Sequence, residues 1–368
     1  MRIGVVGGGQ LARMMVPPAI ALGIDLRVLP EAEGMSAAIA ATAVGDYRDA
    51  ATVLAFARDV DVVTFDHEHV PQDVLARLTE AGVAVHPGPA PLAVAQDKIH
   101  MRERLSALGA PVPDWSVVHD ADELGAFLAA HDGAAVVKTP RGGYDGKGVR
   151  VVRDAGDAGD WLASGPLLAE ELVSFRRELA QLVARRASGE VAAWQLVETV
   201  QRDGVCAEVT APAPDAGDLG ETARDLAVSI AEGLGVTGVL AVELFETADG
   251  SLLVNELAMR PHNTGHWSID GAVTSQFEQH LRAVLDLPLG DPSPRHPWSV
   301  MVNVLGGPAG ATMPDRYPAA MQAEPGVKLH SYGKESRPGR KVGHVTATGD
   351  DLDATLARAR AAAAFFEH

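Results

Sequence analysis

The chain has 368 residues, 47% of them hydrophobic and 22% charged, a balance that excludes a disordered segment and a length that excludes one ordinary core, so two or three domains are expected. Its 31 basic and 49 acidic side chains give a formal charge of −18 without a long basic tract, which argues against nucleic acid and anionic membranes as partners. Cys206 is the sole cysteine, so a disulfide framework and a multi-thiolate zinc site are excluded; with no apolar run long enough for a bilayer and no signal-peptide core behind Met1, a cytoplasmic protein is expected.

Ile3–Val6, Leu26–Leu29 and Val60–Thr64 read as buried strands, with helices over Ala50–Arg58 and Val74–Ala81, an alternation that predicts a parallel, doubly wound sheet. Gly7-Gly8-Gly9-Gln10-Leu11-Ala12 follows the first strand in the G-x-G-x-x-A form of the dinucleotide fingerprint, and Glu31 stands about where a ribose-binding acid would lie. Such a turn offers N–H groups to any phosphate, or is simply tight and empty. Pro17-Pro18 is expected to end or kink the first helix early. Asp66 and Glu68 fall just past a strand, where ligands of parallel sheets collect, or are plain surface acids.

A helix from Lys98 leads through Pro111-Val112-Pro113 to an apolar run ending in Lys138, then Arg141-Gly142-Gly143-Tyr144-Asp145-Gly146-Lys147-Gly148 and a β-type run, Val149–Val152. Glycines this dense let main-chain N–H groups close on phosphate oxygens, with Lys138 and Lys147 as counter-charge. The alternative is a strand, an Asp145-Gly146 turn and a strand with solvated lysines. Glu170-Glu171-Leu172-Val173 ends a short strand and could offer main-chain groups to an adenine edge, with Glu178 near a ribose; strand-ending acids are common, so this reading needs other support. Cys206 has no activating base beside it and reads as a packing residue.

Two β-type runs, Val239–Phe245 and Ser251–Glu256, flank Asp249-Gly250. With that dipeptide as a two-residue hairpin turn, Glu243 faces Glu256. Like charges placed opposite each other destabilise a sheet, so a hard divalent cation between them is expected; a different register would leave both in solvent. Asn255 is a third oxygen ligand only where the strand end is distorted, because alternation points it to the other face. Arg260-Pro261-His262-Asn263-Thr264-Gly265-His266-Trp267 follows, polar at a density unsuited to a buried core, and reads as part of the site or as a capped loop whose side chains satisfy only local backbone groups. Asp291–Pro297 reads as a linker to a smaller module that carries the basic cluster Lys334, Arg337, Arg340 and Lys341, an anion pocket or a solvated run, and ends in an alanine-rich helix from Asp351.

Gly7-x-Gly9-Gln10-Leu11-x-Arg13-Met14, Arg141–Gly148, Asn255-Glu256-Leu257-Ala258-x-Arg260, His262-Asn263-x-Gly265-His266-Trp267 and Arg337-Pro338-Gly339-Arg340-Lys341-Val342-Gly343-His344, taken together, resemble the N5-carboxyaminoimidazole ribonucleotide synthase family of ATP-grasp ligases across nearly the whole chain. The resemblance implies an α/β ATP-grasp fold: an N-terminal doubly wound parallel-sheet domain over 1–97, a small lid subdomain over 98–165, a main subdomain over 166–290 and a small C-terminal domain over 298–368. It implies ATP- and Mg2+-dependent carboxylation of 5-aminoimidazole ribonucleotide by bicarbonate, in a homodimer. On it, Lys98, Lys138, Gly143, Tyr144, Asp145, Gly146, Lys147, Gly148, Val149, Glu170, Glu171, Leu172, Val173 and Glu178 hold ATP, and Glu243, Asn255 and Glu256 surround magnesium. Tyr144, Asp145, Lys147, Arg260, His262, Lys334, Arg340 and Lys341 hold the ribonucleotide with help from Gly9, Gln10, Leu11 and Glu68, and Asp145, Tyr144, Lys147 and Arg260 stand at the chemistry.

The chain departs from the family's usual pattern at Met259, Thr264 and Asp66, where proline, serine and glutamate are typical, and at Lys98, where an arginine's planar fork is lost. Gln201 replaces a nucleotide-contacting histidine and is left out of the site. Rival readings are another ATP-grasp carboxylase or amide ligase, a catalytically silent nucleotide-binding member, and a nicotinamide-dependent oxidoreductase built on the first glycine turn.

Overall fold

The computed structural model describes residues 1–142, 147–202, 204–306 and 312–367. Three sheets carry the chain. The first joins β1 (Arg2–Val6), β2 (Asp25–Leu29) and β3 (Val62–Phe65) in parallel, in the order β2-β1-β3, as the run of alternating strands and helices predicts. Buried Val, Leu and Ile from both of its faces pack under helices, among them Gln10–Ala21, Ala50–Ala57 and Gln72–Glu80.

The helix Gln10–Ala21 runs straight through Pro17 and Pro18, against the expected early break. Leu11, Ala12, Met15 and Ala19 anchor it in a core shared with Phe277 and Leu281, whereas Pro17 is exposed on the opposite side. Tertiary burial there outweighs the lost main-chain bonds.

The second sheet holds β4 (Trp115–Val118), β5 (Ala135–Lys138), β6 (Val149–Val152) and β7 (Leu167–Glu171) in the order β4-β7-β5-β6, every pair antiparallel. The third comprises β8 (Phe175–Arg185), β9 (Val191–Ala193), β10 (Val197–Arg202), β11 (Val205–Ala211), β12 (Gly238–Thr247), β13 (Leu252–Ala258), β14 (Trp298–Leu305), β15 (Lys328–Ser331) and β16 (Lys341–Gly349). Its order is β13-β12-β8-β10-β11-β14-β16-β15, with β9 beside β8. The module after the Asp291–Pro297 run is therefore no separate sheet: β14 pairs with β11 and extends the same surface.

One face of this sheet packs on the helices Leu219–Leu234 and Leu352–Ala364. The other is covered by the loop bearing Trp267. Cys206 is buried in that second layer, and burial pushes its thiol up to about 12, so it packs and does not react.

Candidate active site

Glu243 and Glu256 stand opposite each other across β12 and β13, as the sequence predicts, but by a different route. The loop is not the two-residue turn: Thr247 pairs with Ser251 around Ala248-Asp249-Gly250, a tight turn closed by Gly250 N–H to Thr247 and a left-handed Gly250 at φ 83°. That alone would slip the register by one. A β-bulge restores it, since Leu244 pairs with Val254 and Glu243 with Glu256, leaving Asn255 as the extra residue. The distortion also answers the alternation problem, because Asn255 and Glu256 line one cleft with Lys98, Met101, Arg102, Lys138 and Leu168.

Burial, with Glu256 and Glu178 nearby, pushes Glu243 up to about 8 despite Arg260 and Lys341. Burial also raises Glu178, whose side chain shares that face of the sheet, since β8 pairs Ala180 with Glu243 and Glu178 with Phe245. Like charges crowded out of water are what a cation would relieve. The donors are carboxylate and amide oxygens, which suit magnesium completed by a substrate's phosphates. Among the described residues no group of three or more His, Cys, Asp and Glu is arranged to hold a metal unaided.

His262 Nε2 lies 3.2 Å from Glu243 Oε1, and its Nδ1 meets Thr264 Oγ1 at 2.9 Å. Burial first, then Arg260 and Lys341, hold it well below the usual histidine range. Arg260 donates through Nε to Glu68 Oε2 at 2.7 Å, and Glu68 Oε1 accepts the Met259 N–H at 3.2 Å. The first and third sheets are thus tied together beside the carboxylate pair.

Across the cleft, Lys98 Nζ is 3.7 Å from Glu256 and donates to the Gly142 carbonyl at 3.3 Å, which links β13 to the start of the glycine-rich segment. Lys138 Nζ reaches Glu170 Oε2 at 2.6 Å and Asn255 Oδ1 at 3.2 Å. Burial would raise the Glu170 carboxyl, but Lys138 and Arg102 hold it below its ordinary value.

Several expectations change. Glu170 is 2% exposed and its carboxylate is held by this ion-pair cluster; of the main-chain groups expected at an adenine edge, the Glu171 N–H is already given to the Asp114 carbonyl. Leu172, exposed, and Val173 follow β7 in the link to β8. Leu11 is 7% exposed in the core, so its side chain is closed to a substrate. The basic cluster divides: Lys334 Nζ donates to Gln10 Oε1 at 2.5 Å and Lys341 acts on Glu243 and His262, whereas Arg340 is exposed and bonds the Glu335 carbonyl of its own loop. Lys147, Gly148 and Val149 follow the lid segment into β6; Gly143, Tyr144, Asp145 and Gly146 lie outside the described residues.

The first glycine turn is not a free phosphate cradle. Asp66, just past β3, accepts from Gly9 N–H at 2.8 Å and from Ala12 N–H at 2.7 Å at the start of the helix, and a Cβ on Gly9 would fall 2.1 Å from Asp66 Oδ2. Glu31 is held by His67 at 3.1 Å. The oxidoreductase reading loses both of its supports.

Sequence reasoning missed Arg102, 1% exposed behind the cleft. Its signal was position: one helical turn beyond Lys98, on the same helix face.

Three family models match in order: a ribonucleotide synthetase preATP-grasp domain over residues 1–96, an ATP-grasp domain over 103–277 and a phosphoribosylaminoimidazole carboxylase C-terminal domain over 299–358. An N5-carboxyaminoimidazole ribonucleotide synthase of Mycobacterium tuberculosis is 52% identical, covering 100% of this chain and 88% of its own length. The crystal structure of N5-carboxyaminoimidazole ribonucleotide synthetase from Thermus thermophilus superposes with a TM-score of 0.88 at 39% identity over 97% of each chain. That of an Aspergillus clavatus synthase in complex with ADP and 5-aminoimidazole ribonucleotide gives 0.88 at 31% identity over 99% of this chain and 98% of that one. Full-length identity and a shared order of modules establish that the chain belongs to the N5-carboxyaminoimidazole ribonucleotide synthase family of ATP-grasp ligases.

Proposed function

We propose that this ligase uses magnesium, ATP and bicarbonate to carboxylate the exocyclic amine of 5-aminoimidazole ribonucleotide, as a cytoplasmic homodimer. The observation that carries the reading is the Glu243–Glu256 pair facing across the hairpin next to Lys98 and Lys138. Magnesium, when bound by Glu243, Glu256 and Asn255, supplies charge neutralisation and alignment of the phosphates. Phosphoryl transfer needs chiefly positioning and electrostatics, which Lys98 and Lys138 add without a covalent nucleophile. Glu178 receives the ribose of ATP.

A bicarbonate oxygen attacks the γ-phosphorus and ADP leaves, giving carboxyphosphate. Its C–O bond to phosphate then breaks, releasing phosphate and CO2, and the substrate amine attacks the carbon. Carboxyphosphate is too labile for open water, so the step needs a site closed to solvent, and the glycine-rich sequence over 143–149 has the composition of such a cover. Asp145 is the candidate to take the amine proton, with Tyr144 and Lys147 serving the same step. Arg260, His262, Lys334, Lys341 and Gln10 hold the ribonucleotide between the first and third sheets.

The test is ADP release from purified protein with ATP, Mg2+, bicarbonate and 5-aminoimidazole ribonucleotide, each omitted in turn. Turnover should need all four. ADP formation indifferent to the ribonucleotide would reject the substrate, and favour another carboxylase or amide ligase of the same fold.

A further inference from the structure

Arg102 has no part in the roles assigned above, yet its guanidinium touches both walls of the nucleotide cleft. Nε donates to Glu170 Oε1, while the other oxygen of that carboxylate holds Lys138 at 2.6 Å. Nη2 donates at 2.6 Å to the main-chain carbonyl of Asn255, the extra residue of the bulge. β13 is the edge of its sheet, so its outward groups need partners from elsewhere. Val254 N–H finds the Pro111 carbonyl at 2.7 Å, and the Asn255 carbonyl finds Arg102.

We propose that Arg102 is a positioning residue for nucleotide and metal. One planar fork holds the bulge that brings Glu256 opposite Glu243, and holds the carboxylate that aims Lys138. A lysine at the same place keeps the charge but cannot serve both acceptors in that geometry. The inference rests on the ATP-and-magnesium reading above.

The test is calorimetric titration of ADP, with and without Mg2+, into the wild type and Arg102→Lys, alongside thermal melting and steady-state kinetics. Loss of one charge-assisted bond at the bulge should cut the Mg2+-dependent gain in ADP affinity by about tenfold or more. KM for ATP should rise in step, with KM for the ribonucleotide unchanged. A purely structural role would instead lower the active fraction, reducing kcat while leaving every KM and the Mg2+-dependent gain as in the wild type; that result overturns the inference. Should Arg102→Lys fail to fold, Glu170→Gln keeps the shape and weakens both bonds to that side chain, and unchanged ADP binding in both conditions is then the overturning result. A wild type with no Mg2+-dependent gain would refute the metal reading and this inference with it, whereas a wild-type gain retained in full by Arg102→Lys refutes the inference alone.

Discussion

Replacing Glu243 by glutamine keeps the side chain's shape and removes its charge, which isolates the electrostatics of the carboxylate pair. Burial, Glu256 and Glu178 push Glu243 from an ordinary 4.5 up to about 8. A carboxyl raised on folding makes the native protein bind more protons than the unfolded chain between those values, so its contribution to stability falls as pH rises through that window. At about 1.4 kcal/mol per pH unit the ceiling is roughly 5 kcal/mol. Because 26% of the side chain meets solvent, about half of that is expected, or ~2 kcal/mol lost between about pH 5 and pH 9. Denaturant unfolding of metal-free wild type and Glu243→Gln at both pH values reads this directly. The two proteins should be nearly equal at the acid end, with Glu243→Gln the more stable by about 2 kcal/mol at the alkaline end. Mg2+ with ADP should erase the wild-type deficit. Parallel pH profiles would refute the reasoning.

Three further outcomes follow from named contacts. Asp66→Ala strips two main-chain N–H groups at the start of Gln10–Ala21 of their acceptor and should cost about 1–2 kcal/mol in unfolding experiments. In Gly265→Ala the new Cβ would lie 2.3 Å from Leu182 and 2.5 Å from Gln276, so about 1–3 kcal/mol of overpacking should appear as a lowered melting temperature. Asp145→Ala should lower kcat by about 10²–10⁴, as loss of a proton acceptor requires; an undiminished rate removes it from the chemistry.

Much of this was legible from residue order. Alternating apolar runs predicted the parallel sheet because β1 and β3 are buried along nearly their whole length, and Val149–Val152 is β6 residue for residue. The facing of Glu243 and Glu256 was also legible, though by two cancelling irregularities: a three-residue loop and a bulge, each shifting the register by one. A bulge has no strong local signal, because its carbonyl is satisfied by Arg102, 153 positions away in sequence. The same holds for Asp66, whose partners Gly9 and Ala12 lie 57 and 54 positions off; a carboxylate capping a distant helix looks, in sequence, like any acid after a strand. The basic cluster was legible as charge but not as direction, since β16 turns Lys341 inward while Arg340, its neighbour, stays exposed.

The most direct measurement is a crystal structure with ADP and magnesium. Electron density for the metal should lie between Glu243 and Glu256, with carboxylate oxygens at about 2.0–2.1 Å and the diphosphate running past Lys138. A metal bound away from both glutamates, or a nucleotide seated at the Gly7–Gly9 turn, would contradict the account.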